Sequence, residues 1–174
     1  MSKQELQKKA YDHSGVTYEQ SQKALNLQPS IYERIGKEEG FRQLSTLFYN
    51  RIFTDKSPSS TWFLNIFSSS TRGEAIENQY RFLVQTFGGP KLYQEIKGKY
   101  TRLVGRHANY PIGNRAAIQW VEQMIKAMED HEVIREDEEM MQALTDYFQY
   151  TAHYIVAGME YMRPDQVRIL WNMS

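Results

Sequence analysis

From residue 41 onward the apolar positions fall into stripes. Phe41, Leu44, Phe48 and Ile52 recur at three- and four-residue steps, so they share one face of a helix predicted over 41–53. Tyr49 adjoins that face, where it reads as a core-edge tyrosine with its hydroxyl toward water. Thr61 to Phe67 is a short apolar piece of one or two helical turns, broken by Ser68, Ser69 and Ser70. Thr71 with Glu74 three residues on is a capping-box signature. The helix behind it carries Ile76, Tyr80, Leu83 and Phe87 on one stripe, with Gln79 and Phe82 adjoining, and Gly88-Gly89-Pro90 stops it. Asn114 reads as the cap of a further helix, in which Ala117, Ile118, Val121, Met124, Ile125 and Met128 form a broad apolar face. Trp120 is offset from the centre of that face. A last helix opens on the acids Glu136 to Glu139, favourable at the positive end of a helix dipole. It continues through Met140, Leu144, Tyr147, Phe148, Thr151, Tyr154 and Ile155 to about Gly158.

The flanks are more polar. Residues 1–29 are rich in Gln and Lys, with scattered Leu6, Tyr11, Val16, Tyr18 and Leu25. They predict an extension of one or two helices that docks on the main domain but has no core of its own. Ile31, Tyr32 and Ile35 make a short turn closed by Gly36. Residues 91–106 read as a loop anchored by Leu92, Tyr93 and Ile96. The division is an extension at 1–29, a domain at 30–162 and a tail at 163–174, where Val167, Ile169, Leu170 and Trp171 supply apolar contacts. No segment alternates with period two. The fold is predicted to be all-α.

Composition narrows the class. With 174 residues, 41% of them hydrophobic, the chain suits one domain with short additions. Lys and Arg number 21, as do Asp and Glu, so no basic stripe draws phosphate and nucleic acid is excluded as a partner. The absence of cysteine excludes disulfides, thiolate metal sites and cysteine nucleophiles, and suits a reducing cytoplasm. No apolar run reaches membrane-spanning length, and residues 1–6 do not open a signal peptide. Aromatic residues make up 13%, which serves either ordinary core filling or a pocket for a large flat ligand.

The candidate chemistry centres on Gly105-Arg106-His107-Ala108-Asn109-Tyr110-Pro111-Ile112, preceded by Leu103 and Val104. A neutral imidazole among apolar neighbours can give its lone pair to a metal. Taken alone, His107 reads first as a hydrogen-bonded structural histidine. His13 falls in the extension, His131 at an exposed acidic turn and His153 on the last helix, each solvated or structural.

From about Ser30 to Gly158 the chain resembles the truncated, or two-on-two, haemoglobins of group II, found in plants and bacteria. The resemblance rests on elements in a fixed order: Phe48-Tyr49, Ile66-Phe67, Gln79 with Phe82-Leu83, Gly88-Gly89-Pro90 before Leu92-Tyr93, Arg106-His107, Tyr110-Pro111-Ile112, and Trp120 before Met124. It departs from the family where Gly98-Lys99-Tyr100 replaces Gly-His-Pro. The resemblance implies a two-on-two helical sandwich around haem b (iron protoporphyrin IX), with His107 as the proximal iron ligand. Tyr49, Gln79 and Trp120 would stand on the distal side. Phe67 would pack on the haem face, Ala75 would fall at the distal gate, and Asn78, Tyr93 and Arg106 would reach the haem edge. Phe82, Leu83, Leu103 and Ile112 would supply apolar walls.

The implied function is reversible binding of O2, NO, CO or similar small ligands. Tyr O–H and Trp N–H donors beside the ligand would slow O2 release, which argues against bulk oxygen transport. Nitric oxide dioxygenase or peroxidase-like turnover would need an external electron donor or reductase. Two other classes remain open: a haem-based sensor that works through the terminal segments, and a cofactor-free helical interaction protein. Apolar residues in both terminal segments allow a homodimer.

Overall fold

The computed structural model describes residues 2–98, 107 and 112–162, with the backbone alone at Met162. Arg106, Leu103 and the tail at 163–174 lie outside the described residues. The elements are α1 (Lys3–Ser14), α2 (Tyr18–Asn26), α3 (Ile31–Ile35), α4 (Lys37–Thr54), α5 (Thr61–Ile66), α6 (Arg72–Thr86), α7 (Leu92–Lys97), α8 (Asn114–Asp130), a 3-10 turn (Ile134–Glu136) and α9 (Glu138–Met162). Among the described residues there is no strand. Nor is any helix there long and apolar enough to cross a membrane.

Two helix pairs make the body: α4 lies against α6, α8 lies against α9, and α4 also packs on α8. The stripes read from the sequence face the junction. Phe41, Leu44, Phe48 and Ile52 are all buried, as are Val121, Met124 and Met128 of α8 and Met140, Leu144 and Phe148 of α9. Each fully buried side chain of this size contributes roughly 1.5–3 kcal/mol of transfer free energy.

Several boundaries differ from expectation, each for a local reason. Helix α4 begins at Lys37, not beyond Gly40. Gly40 is a helical residue pressed against the preceding turn, where an added Cβ would stand 2.0 Å from the Ile35 carbonyl oxygen. Its glycine therefore serves close packing rather than a helix start. Gly89 is constrained in the same way, because a Cβ there would lie 2.6 Å from the Tyr32 ring. Leu92–Lys97, expected as loop, is helical and ends at Gly98 with φ 71°. Asn114 does not cap α8: Gly113 precedes the helix, and Asn114 is its first residue. Its Oδ1 instead accepts from His153 Nδ1 at 2.9 Å. Helix α9 is capped by Asp137, whose Oδ1 accepts from the Met140 amide at 3.0 Å, and it passes Gly158 without a break.

His131 is the largest correction. It is fully buried, not exposed. Its Nε2 donates to the Gly40 carbonyl at 2.8 Å, and its Nδ1 accepts from the Val133 and Ile134 amides at 3.2 and 3.3 Å. One neutral tautomer thus ties the α4 start to the end of α8 and the 3-10 turn. Burial holds its pKa below the usual imidazole value.

Residues 2–26 form two helices, each opened by a capping box: Ser2 with Glu5, and Thr17 with Gln20. Both pack on α9. Ala10 and Val16 bury against Tyr150 in a second small core, Gln149 donates to the Ser14 carbonyl at 2.9 Å, and His13 stacks on His153 at 5.8 Å. His153 is 4% exposed. Burial first, and then the His13 charge, push its pKa down from 6.5 to about 4.

A folded state that prefers the neutral ring loses stability as the unfolded chain takes up a proton, so stability falls as pH drops from about 6.5 to about 4. The difference corresponds to on the order of 3 kcal/mol for His153. Thermal melts between pH 7 and 4 should show this slope, and His153→Phe should flatten much of it. An unchanged slope in that variant would remove His153 as its source.

Candidate functional site

A cavity of about 520 Å³ lies between the two helix pairs. Its walls come from six of the helices together with His107. From α4 comes Tyr49; from α5 and the residues after it come Phe63, Ile66, Phe67, Ser69 and Ser70. Helix α6 supplies Ala75, Asn78, Gln79, Phe82 and Leu83, and α7 supplies Tyr93 and Lys97. Ile112 leads into Ala116, Ala117 and Trp120 of α8, and α9 contributes Tyr147, Phe148, Thr151, Ala152, Ile155 and Val156.

Every residue expected at the site from the sequence, apart from Leu103 and Arg106, which lie outside the described residues, lines this one cavity. His107 is half-buried with helical backbone. Tyr49 is 8% exposed; its ring meets Phe67 edge-on at 5.8 Å. Trp120 is held between Phe48 at 5.1 Å and Phe148 at 5.4 Å, so its indole has little freedom to turn. Phe82 meets Tyr93 edge-on at 5.6 Å on another wall. The α6 capping box fixes the helix start that presents Ala75, Asn78 and Gln79: Glu74 donates its amide to Thr71 at 3.2 Å and receives the Thr71 amide at 2.9 Å.

The long α9 wall is what the sequence reading missed. Phe148, Thr151 and Ile155 stand at helical spacing, and that pattern is the same whether a face meets other side chains or a hollow. Lys97, Ser69, Ser70 and the alanines at 116, 117 and 152 carried no signal of their own.

The donor set fits an iron porphyrin. The walls are mostly aromatic and aliphatic, with a few polar groups among them, as a large flat ligand requires. No carboxylate is among the described lining residues, and Lys97 is the cation among them, a suitable environment for acidic substituents at a ligand edge. Among the described residues no group of three or more His, Cys, Asp or Glu could hold a bare ion. A single imidazole matches a metal held mainly by a macrocycle. Finally, Gln79 Oε1 is buried on the cavity wall with no hydrogen-bond partner among the described residues. A buried acceptor of this kind is costly unless something in the cavity donates to it.

Comparison with known proteins agrees with this geometry. A family model described as bacterial-like globin matches residues 30–154. The two-on-two hemoglobin-3 of Arabidopsis thaliana is 38% identical over 157 residues, covering 90% of this chain and 85% of that one. A group 2 truncated hemoglobin of Bacillus subtilis (strain 168) is 35% identical over 129 residues, covering 74% and 89%. Among solved structures, a hemoglobin from Chloroflexus aurantiacus superposes with a TM-score of 0.63 at 34% identity, over 74% of this chain and 98% of that one. A thermostable hemoglobin from Thermobifida fusca gives a TM-score of 0.63 at 31% identity, over 73% and 96%.

The unpartnered oxygen of Gln79 makes a prediction for the cofactor-free protein. Gln79→Leu should stabilise it by about 1 kcal/mol, raising the thermal midpoint by roughly 2–4 °C. A lowered midpoint would mean that the amide is satisfied in solution.

Proposed function

Because the chain belongs to the truncated haemoglobins of group II, with their two-on-two fold, we propose that it holds haem b through His107 and binds O2, NO or CO reversibly. One observation carries the reading: a single cavity gathers an imidazole, a phenol, a carboxamide and an indole within mostly apolar walls. The haem iron, when bound, supplies a coordination position for a small diatomic ligand and a site for one-electron chemistry.

The protein's own residues do the rest. Phe67, Phe82, Leu83 and Ile112 exclude water, which strengthens each hydrogen bond made inside. Tyr49 and Trp120 offer an O–H and an N–H, each worth about 1–2 kcal/mol to a negatively polarised ligand in a dry pocket. Gln79 offers either an amide N–H or its unpartnered oxygen, so it serves donor and acceptor ligands alike. Ala75, at the distal gate, has no ring to close over the metal. Asn78, Tyr93 and Lys97 line the cavity, where they would meet the edge of the haem. Two good donors slow release, which suits retention or redox turnover better than bulk oxygen transport. Turnover of nitric oxide or peroxide would draw electrons from an external donor.

A sensor is a second reading, favoured by the position of α9: it walls the cavity with Thr151 and Ile155 and carries α1 and α2 on its neighbouring face.

Purified protein reconstituted with haem should show a Soret band, and His107→Ala should lose or sharply alter it; a mutant spectrum identical to the parent would overturn the ligand assignment. Trp120→Phe should speed O2 dissociation in stopped flow by several-fold, up to about tenfold. No change in that rate would take the indole out of the ligand network.

A further inference from the structure

Arg115 occupies the second position of α8, within the first turn. A cation there opposes the helix dipole, and no acid stands in that turn to compensate. Among the described residues Arg115 makes no ion pair. Its guanidinium instead lies 4.0 Å from the centroid of the Trp62 ring on α5. Trp62 is fixed from its own side, with its indole N–H donating to the Ser59 carbonyl at 3.0 Å. The stack thus joins two helix starts, neither of which has a side-chain cap.

Both elements are cavity walls. Phe63, next to Trp62, lines the cavity and meets Phe67 edge-on at 5.2 Å, and Phe67 in turn meets Tyr49 at 5.8 Å. Ala116 and Ala117, next to Arg115, line it from α8. Resting on the haem reading above, we propose that Arg115 and Trp62 form a clasp that holds α5 against the start of α8 and sets how fast the cofactor leaves. Arg115 is not among the residues lining the cavity, so it acts as a positioning residue. With the clasp open, α5 carries Phe63 and Phe67 away from the alanines of α8, and the apolar wall parts there.

The test is the rate of haem transfer from the holoprotein to an excess of an acceptor apoglobin, followed at the Soret band. An exposed cation–π contact implies that Arg115→Ala speeds transfer about two- to fivefold. Trp62→Leu should do the same, the double variant should be no faster than either, and Arg115→Lys should restore most of the parent rate. A role confined to α8 gives the opposite sign. Removing a cation from an N-terminal turn stabilises the helix, so Arg115→Ala should melt no lower than its parent when cofactor-free, while its haem-loaded form loses haem faster. Transfer at the parent rate, or rate increases that multiply in the double variant, would overturn the clasp. Should Arg115→Ala fail to fold, Arg115→Gln against Arg115→Lys decides by the same criterion. A parent protein that takes up no haem would defeat the haem reading instead. The clasp would then be read as faster hydrogen exchange over residues 61–66 in Arg115→Ala than in the parent, and equal exchange would overturn it.

Discussion

A circuit of aromatic rings holds the molecule in shape. Phe41 stacks on Phe87 at 5.8 Å, Phe87 meets Phe148 at 6.1 Å, Phe148 meets Trp120 at 5.4 Å, and Trp120 returns to Phe48 at 5.1 Å. Phe41 and Phe48 sit on the same helix, so the circuit closes through α4 after passing the end of α6, then α9 and α8. Rings are rigid spacers with preferred edge and face contacts. They bind the four long helices together and also stop them from collapsing onto each other. Small residues do the complementary work. Ala75, Ala116, Ala117 and Ala152 line the cavity where larger side chains would fill it. The hollow follows from this division between rings that prop and alanines that yield.

The prop and the site are the same atoms. Trp120 belongs to the circuit and also faces the cavity, and Phe148 does both from α9. A donor held this way is pre-set toward whatever occupies the cavity, and orienting it costs little at the moment of binding. Tyr49 is held less directly, by edge contacts with Phe48 at 4.9 Å and Phe67 at 5.8 Å. Its position therefore depends on the residue closing α5, a six-residue helix, as well as on the main circuit.

The sequence made much of this legible and hid the rest for physical reasons. Periodicity located the long helices because burial of one face is a local pattern, and the Thr71–Glu74 box marked a helix start because capping is local too. The roles proposed for His107, Tyr49, Gln79 and Trp120 came through resemblance, since nothing in a helical stripe says whether its neighbour is a side chain or a ligand. Gly40 read as a helix boundary because close packing against Ile35 and a turn both call for glycine. His131 read as exposed because its acidic neighbours are exposed, whereas its ring turns inward to satisfy three backbone groups. Asn114 has the right type for a cap, but its carbonyl oxygen is taken by His153, a partner 39 positions away.

Helix α9 makes the N-terminal helices more than an appendage. One face carries Phe148, Thr151 and Ile155 into the cavity, and the next carries Tyr150 and His153 under α1 and α2. The two faces respond differently to pH. Burial pushes the Tyr150 phenol up to about 12, so the small core it shares with Ala10 and Val16 stays neutral in any ordinary buffer. His153 beside it, stacked on the exposed His13, takes up a proton only as the pH approaches about 4. Two stacked imidazolium rings repel, and the nearest ion pair across the same helices, Lys9 with Glu160 at 3.3 Å, is too exposed to hold them together. Acid therefore strains the seam between the extension and α9. A single helix forms both that seam and a cavity wall, so the two share the backbone of α9.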